Sequence, residues 1–291
     1  MPPILPKRAL IKGMRVVSSE LARWATALSS SPSVSGADRL LLRRNSRFDG
    51  IFAGRRCFVL GNGPSLNALN LESLTGEISI ACNGFSCHPI LDTWQPYALC
   101  LADPDYFLHA DRFAAEFKRI GKRMPTTEVF APLEGVRVLS ECGAIRPDFL
   151  NFCCLHSNMV YHRTFSVDLT MPVPMGQTVT LFAIAVSLYL GCDPIYLLGM
   201  DHDFLAQPKK PTHFSDDYDT GDSPEEVLSY SSWSYLRLIR AVGNMFEGHS
   251  NLRRVAQGRG QRIINASAGG FLDVYPRVVF SELFDGTTGL H

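Results

Sequence analysis

Cys57-Phe58-Val59-Leu60-Gly61-Asn62-Gly63-Pro64-Ser65-Leu66 is an apolar run that passes directly into a glycine loop. Four consecutive apolar residues ending in Gly-Asn-Gly-Pro read as a strand buried on both faces and then a tight turn. The two glycines permit positive φ and close backbone approach, Pro64 fixes one φ, and Ser65 is placed to cap a helix beginning near Leu66. Backbone N–H groups converging there would suit a phosphate-sized anion. The spacing matches neither GxGxxG nor GxxxxGK[ST], so neither the dinucleotide fingerprint nor the P-loop applies.

Outward from this loop, helical and apolar segments alternate. A short helix near Leu66 to Leu74 leads to a strand from Glu77 to Cys82, ending at Asn83-Gly84. A third strand, Tyr97 to Leu101, ends at Asp103, and an amphipathic helix through Phe113 and Phe117 runs to about Lys122. Val129 to Ala131 is a weak fourth strand, and Cys153-Cys154 lies in another short one. Thr178 to Leu190 is apolar nearly all round, a buried helix, followed by a strand from Pro194 to Leu198 that closes at Gly199-Met200-Asp201-His202-Asp203. A polar loop from Gln207 to Pro224, a helix from Glu225 to Phe246 and a strand from Arg262 to Asn265 complete the pattern. This alternation predicts an α/β fold with a single Rossmann-like, mainly parallel, doubly wound sheet. Ligands of such sheets bind outside the carboxyl ends of the strands, where Asn62, Ser65, Asn83, Asp103 and Asp201 gather.

The 291 residues, 46% hydrophobic, suffice for one large catalytic unit, and 28 basic against 28 acidic residues exclude a whole-surface nucleic-acid binder. Residues 1–56 nonetheless carry eleven Lys/Arg against Glu20, Asp38 and Asp49, a net charge of +8. Within them Leu10, Met14, Val17, Leu21, Trp24 and Leu28 form one helical stripe. Residues 1–45 therefore read as a basic amphipathic appendage with the character of a peripheral contact to an anionic membrane, and 46–291 as the nucleotide-binding catalytic domain. No apolar stretch reaches the ~18 residues that span a bilayer and no signal-peptide h-region begins the chain, so a cytoplasmic protein, peripheral at most to the inner membrane face, is expected. Eight cysteines without a CxxC pair read as small core residues.

The run from Cys57 to Leu66, Ala81-Cys82-Asn83-Gly84-Phe85, and the block from Gly176-Gln177-Thr178-Val179-Thr180 to Leu198-Gly199-Met200-Asp201 together resemble the bacterial sialyltransferases of glycosyltransferase family 42 and the related MptE-like group. The latter includes an archaeal 6-hydroxymethyltetrahydropterin diphosphokinase and proteins of bacterial surface-glycan loci. Thr212-His213-Phe214 and Ile264-Asn265-Ala266-Ser267-Ala268-Gly269-Gly270 are further marks, and the resemblance covers about Arg55 to Phe284. It implies a sialyltransferase-like variant of the glycosyltransferase A fold and an enzyme of surface-polysaccharide assembly. Such an enzyme moves a sugar from a CMP-activated ulosonic or sialic-type donor to a glycan or lipid-linked glycan acceptor, without a metal cofactor. Carried over residue by residue, Gly61, Asn62, Gly63 and Asn83 hold the nucleotide, with Pro64, Ser65 and Asp103 around them. Thr178 or Thr180 contacts the donor phosphate, Gly199, Met200 and Asp201 form the nucleotide-contacting turn with His202 beside it, and His213 is the base, with Asp201 second in the catalytic set.

Two departures bear on the donor. The sialyltransferases place an Arg where this chain has Gly176-Gln177, and an apolar residue where it has His202-Asp203. Other CMP-activated acid sugars, Kdo-like or pseudaminic-type, thus stay open. The spacing Asp201-His202-Asp203 also permits Mg²⁺ on a diphosphate, which an ATP-dependent pterin diphosphokinase would need. A nucleotide-binding scaffold without catalysis is the third reading. Asp105 reads as a helix cap after Pro104, and Arg277 as a surface arginine on a structural turn.

Overall fold

The computed structural model describes residues 34–156, 165–203, 205, 214 and 234–284. Seven strands form one sheet: β1 (Cys57–Leu60), β2 (Ile78–Cys82), β3 (Ala98–Cys100), β4 (Glu128–Pro132), β5 (Leu150–Cys153), β8 (Ile195–Leu198) and β9 (Ile263–Asn265). The two-residue β6 (Leu155–His156) and β7 (Val173–Pro174) pair separately. The order is β5-β4-β3-β2-β1-β8-β9 and every pairing is parallel, as the alternating pattern requires. The order reverses at β1, whose neighbours are β2 and β8, so the switch point lies at the Gly61 loop.

Burial on both faces explains why these strands read as unbroken apolar runs. Cys57 and Val59 of β1 face one core and Phe58 and Leu60 the other; Ile78, Ile80 and Cys82 of β2 join the first and Ala81 the second. The first core is filled by α5 (Val179–Tyr189), whose residues from Thr180 to Tyr189 are all buried, and by α6 (Tyr235–Gly258). The second is filled by α3 (Ala110–Arg123), reached through the single-turn α2 (Asp105–Leu108), and by α4 (Val136–Cys142). All eight cysteines are free, six of them buried, and burial lifts the Cys57 and Cys100 thiols well above their ordinary pKa. These two are packing groups, kept from reactivity by the absence of thiolate.

Several expectations need correction. The helix expected from Leu66 to Leu74 is two 3₁₀ turns, Pro64–Ala68 and Leu71–Leu74, broken at Leu69-Asn70. Four- and five-residue segments cannot complete the i→i−4 ladder of an α-helix. The cap of the first turn is Gly63, without a side-chain bond, so Ser65 does not serve as the cap. The last helix runs on to Gly258, twelve residues past the expected end, because Leu252 and Ala256 continue its buried stripe. The compact unit begins at Val34, so residues 34–45 belong to the body: α1 (Gly36–Arg44) opens with a Ser35–Asp38 capping box and buries Leu42, and Asn45 Nδ2 donates to Phe152 O and Leu169 O. The helical stripe of residues 10–28 lies outside the described residues. No helix among the described residues is long and apolar enough to cross a membrane.

Candidate functional site at the sheet switch point

The loops after β1 and β8 are zipped together. Gly61 N–H donates to Leu198 O (2.8 Å) and Gly63 N–H to Gly199 O (2.9 Å). Ser65 N–H then donates to Asp201 Oδ2 (2.9 Å), and the Ser65 hydroxyl bonds Asp201 Oδ1. With Leu66 N–H on Gly63 O, the amides of residues 61, 63, 65 and 66 are all engaged inside the protein. The expectation that they converge as a phosphate cradle is therefore overturned: Asp201 supplies the anion from within the chain, and its carboxylate cannot face the same donors as a ligand phosphate. Gly63 is needed here for space, its φ being −63°. A Cβ on it would lie 2.6 Å from Gly199 O and 2.8 Å from Asp201 Cγ. Gly63→Ala is expected to cost about 2–4 kcal/mol, since the obstacle is backbone on one side and a bonded carboxylate on the other. Denaturant unfolding checks it; an unchanged midpoint would show that the two loops are not apposed.

Polar groups left over from this zipper border its edge toward β2. Asn62 Nδ2 donates to Cys82 O (3.0 Å), tying the first loop to the second strand end, while Asn62 Oδ1 is buried without a hydrogen-bond partner among the described residues. An acceptor in that state costs about 1–3 kcal/mol unless a ligand donor reaches it. Asn83, with φ +39°, is one of two non-glycine residues with positive φ among the described residues, and its Oδ1 accepts Ala102 N–H (3.1 Å). Its carbonyl oxygen thus holds the third strand end in place. Asp103 accepts Asp105 N–H (3.1 Å), so Asp103, and not Asp105, makes the side-chain bond that starts α2. Thr178 caps α5 with its hydroxyl toward Thr180 N–H (3.4 Å) and 3.2 Å from the Thr180 hydroxyl. Because α5 leads into the parallel strand β8, it runs against the strands, and this terminus with its positive dipole end lies at their carboxyl edge.

His213 falls outside the described residues. Phe214, which follows it in sequence, is described: its N–H donates to Asn62 O (2.7 Å) and its carbonyl accepts from Asn67 Nδ2 (2.8 Å). Its ring packs against Phe85 at 6.2 Å and His88 at 4.8 Å. His88 Nδ1 accepts Ile90 N–H (3.1 Å), and burial, with a smaller contribution from Arg123, pushes its pKa down to about 4. Nothing in the sequence singled out His88 or Phe214 as a pair, since 126 positions separate them.

On the β8 side, His202 is the second non-glycine residue with positive φ among the described residues, +48°. Such backbone in a bulky residue persists only where surroundings enforce it. His202 Nε2 lies 3.1 Å from His249 Nε2, and His249 Nδ1 lies 3.2 Å from Tyr275 Oη. Burial pushes His202 down to about 4, partly opposed by Asp203, and holds His249 well below its ordinary value. A helix expected to end at Phe246 leaves His249 outside it, and Tyr275, 26 residues further on, carries no local signal of the pairing. Gly270, φ +83°, lets Phe271 N–H reach Asp201 O (2.7 Å), where a Cβ would meet that oxygen at 2.3 Å. Ser267 Oγ accepts Met200 N–H (2.9 Å), and Arg277 donates to Ser267 O and Gly269 O, fitting the structural-turn reading. A cavity of about 900 Å³ adjoins this turn, between Leu69, Asn70, Ser267, Arg277, Phe280 and Glu282. Among the described residues no three His, Cys, Asp or Glu side chains gather as metal ligands, and the Asp201 carboxylate is turned to Ser65.

No family model and no curated protein matches this chain. Among solved structures it is similar to the sialyltransferase CST-II in complex with trisaccharide acceptor and CMP: TM-score 0.44, 13% identity, 76% of this chain and 85% of that chain. It is likewise similar to CstII from Campylobacter jejuni in complex with the substrate analogue cytidine-5'-monophosphate: TM-score 0.44, 12% identity, 78% and 85% coverage. The MAf glycosyltransferase from Magnetospirillum magneticum AMB-1 gives a TM-score of 0.42 at 14% identity, covering 85% of this chain and 39% of that one.

Proposed function

We propose that this protein is a glycosyltransferase-like enzyme that uses a nucleotide-activated sugar, CMP-linked by preference, and passes it to a glycan or lipid-linked glycan acceptor in surface-polysaccharide assembly. The observation that carries the reading is Asn62: its Oδ1, unpartnered among the described residues, sits at the switch point, between a β1 loop closed by Asp201 and the strained Asn83 turn after β2. An amide oxygen there asks for a ligand N–H or O–H donor, such as a nucleobase amino group or a ribose hydroxyl. The residues that carry the sialyltransferase resemblance are the same ones, and the α5 terminus at Thr178 offers N–H donors to a donor phosphate. In this mechanism the departing nucleotide phosphate gathers charge near that terminus, an oxocarbenium-like carbon develops on the sugar, and His213 removes the acceptor proton.

The diphosphokinase reading asks the Gly61 loop to hold ATP phosphates. The engagement of its amides by Leu198, Gly199, Gly63 and Asp201 speaks against that. A thermal-shift comparison of CMP, CDP, UDP, GDP and ATP, each with and without Mg²⁺, separates the readings. CMP at a hundred times its Kd is expected to add about 2.7 kcal/mol of stability without metal. Stabilisation by ATP alone, dependent on Mg²⁺, would replace the glycosyltransferase by the diphosphokinase.

A further inference from the structure

The hydrogen-bond chain behind His202 fixes which of its ring nitrogens carries the proton. Tyr275 Oη lies 3.0 Å from His249 O and 3.2 Å from His249 Nδ1. Two oxygens at 3.0 Å need a proton between them, and the tyrosine hydroxyl is the only one of the pair that has one to give. The Tyr275 proton therefore goes to the carbonyl, and Oη must accept from His249 Nδ1–H. His249 is fully buried and neutral, so a proton on Nδ1 leaves its Nε2 bare. That nitrogen, 3.1 Å from His202 Nε2, can only accept, so His202 carries its proton on Nε2 and turns a bare Nδ1 the other way. Reversing the chain would leave two lone pairs facing each other at 3.0 Å.

His202 Nδ1 has no hydrogen-bond partner among the described residues, and the residue is half-buried while His249 and Tyr275 are buried. Its ring packs on Phe246 at 6.3 Å, and its left-handed backbone sits between Asp201, which closes the β1 loop, and buried Asp203. The geometry points to Tyr275 and His249 as positioning residues that hold His202 in the Nε2–H tautomer, so that Nδ1 accepts a hydrogen bond from a hydroxyl of the bound sugar. That the hydroxyl is a sugar's rests on the donor class proposed above; the tautomer does not. A neutral acceptor beside carboxylates selects for O–H groups and against a second anion, which only a protonated imidazole would favour.

Ring-nitrogen NMR of the full chain with isotope-labelled histidine reads the tautomer directly, with His202→Gln identifying the signal. The expected result at neutral pH is a single His202 tautomer, protonated on Nε2 and bare on Nδ1. Tyr275→Phe, once shown folded by its thermal transition, is expected to lose that single pattern, because nothing then directs the His249 proton. A His202 proton on Nδ1, a charged His202 ring, or an unchanged pattern in Tyr275→Phe would each overturn the positioning role; should that variant not fold, the wild-type spectrum decides alone. CMP-sialic acid is expected to move the His202 Nδ1 signal and CMP is not. If CMP stabilises the protein while CMP-sialic acid leaves Nδ1 unmoved, the sugar contact is refuted and the donor reading stands. If neither nucleotide binds, the sugar contact falls with the donor reading, and the spectrum of the free protein still settles the tautomer.

Discussion

Acidification from pH 7 to about 4.5 is expected to remove roughly 5 kcal/mol of folding stability, enough to bring a domain of ordinary stability, about 5–15 kcal/mol, close to unfolding. The loss comes from histidines buried neutral. His88 and His202 are each pushed from 6.5 down to about 4, mainly by burial, and His249 lies well below its ordinary value. Between pH 6.5 and 4 the unfolded chain binds protons that the folded chain refuses, so the stability is complete above 6.5 and lost as pH falls. At 1.36 kcal/mol per unit, each of the first two contributes about 2–3 kcal/mol by pH 4.5. Around His88 lie Phe85, Phe214 and the Arg123 charge; around His202 lie Phe246, His249 and Asp203, of which only Asp203 favours protonation. Urea unfolding at pH 7 and 4.5 measures the difference. His88→Asn keeps an acceptor for Ile90 N–H and should flatten part of the slope. Equal stability at the two pH values would mean that these rings are not held neutral.

What the sequence made legible follows from how far apart the interacting residues are. β1, β2, β3, β8 and α5 are almost wholly apolar, with only Ser79, Thr180 and Ser187 polar, so local composition alone marks them, and a parallel sheet follows from their alternation. The 3₁₀ turns after β1 resemble a helix in sequence because Leu71 and Leu74, and Leu66 and Leu74, lie three and eight residues apart, spacings a helix also uses. β6 and β7, two residues each, carry no periodic signal. The strand ends were legible as polar, yet their bonds were not: Ser65 and Asp201 are 136 residues apart, and His202 and His249 are 47 apart. Asn62 and Ser65 illustrate the distinction. One motif marks both as nucleotide-facing, but Ser65 spends its N–H and hydroxyl on Asp201, while Asn62 keeps an acceptor unpartnered among the described residues. Only a partner from β8 could tell them apart.

Replacing His213 by alanine is expected to slow sugar transfer by ~10²–10⁴ while leaving nucleotide affinity nearly unchanged, the signature of losing a general base. His213 lies outside the described residues, but its neighbour Phe214 is bound through both backbone groups, to Asn62 O and Asn67 Nδ2, with its ring on Phe85 and His88. The residue next in sequence to the proposed base is thereby tied to the loop that carries the proposed nucleotide contact. Two variants separate chemistry from anchoring. Phe214→Ala removes the ring contacts to Phe85 and His88 and is expected to lower transfer as well, with a loss of stability of about 3–5 kcal/mol that His213→Ala lacks. Transfer rates with CMP-sialic acid across pH 6 to 8, beside CMP affinities, read both. If His213→Ala keeps a near wild-type rate over that range, proton removal falls to another acceptor in the site, and the bare Nδ1 of His202 is the next to replace.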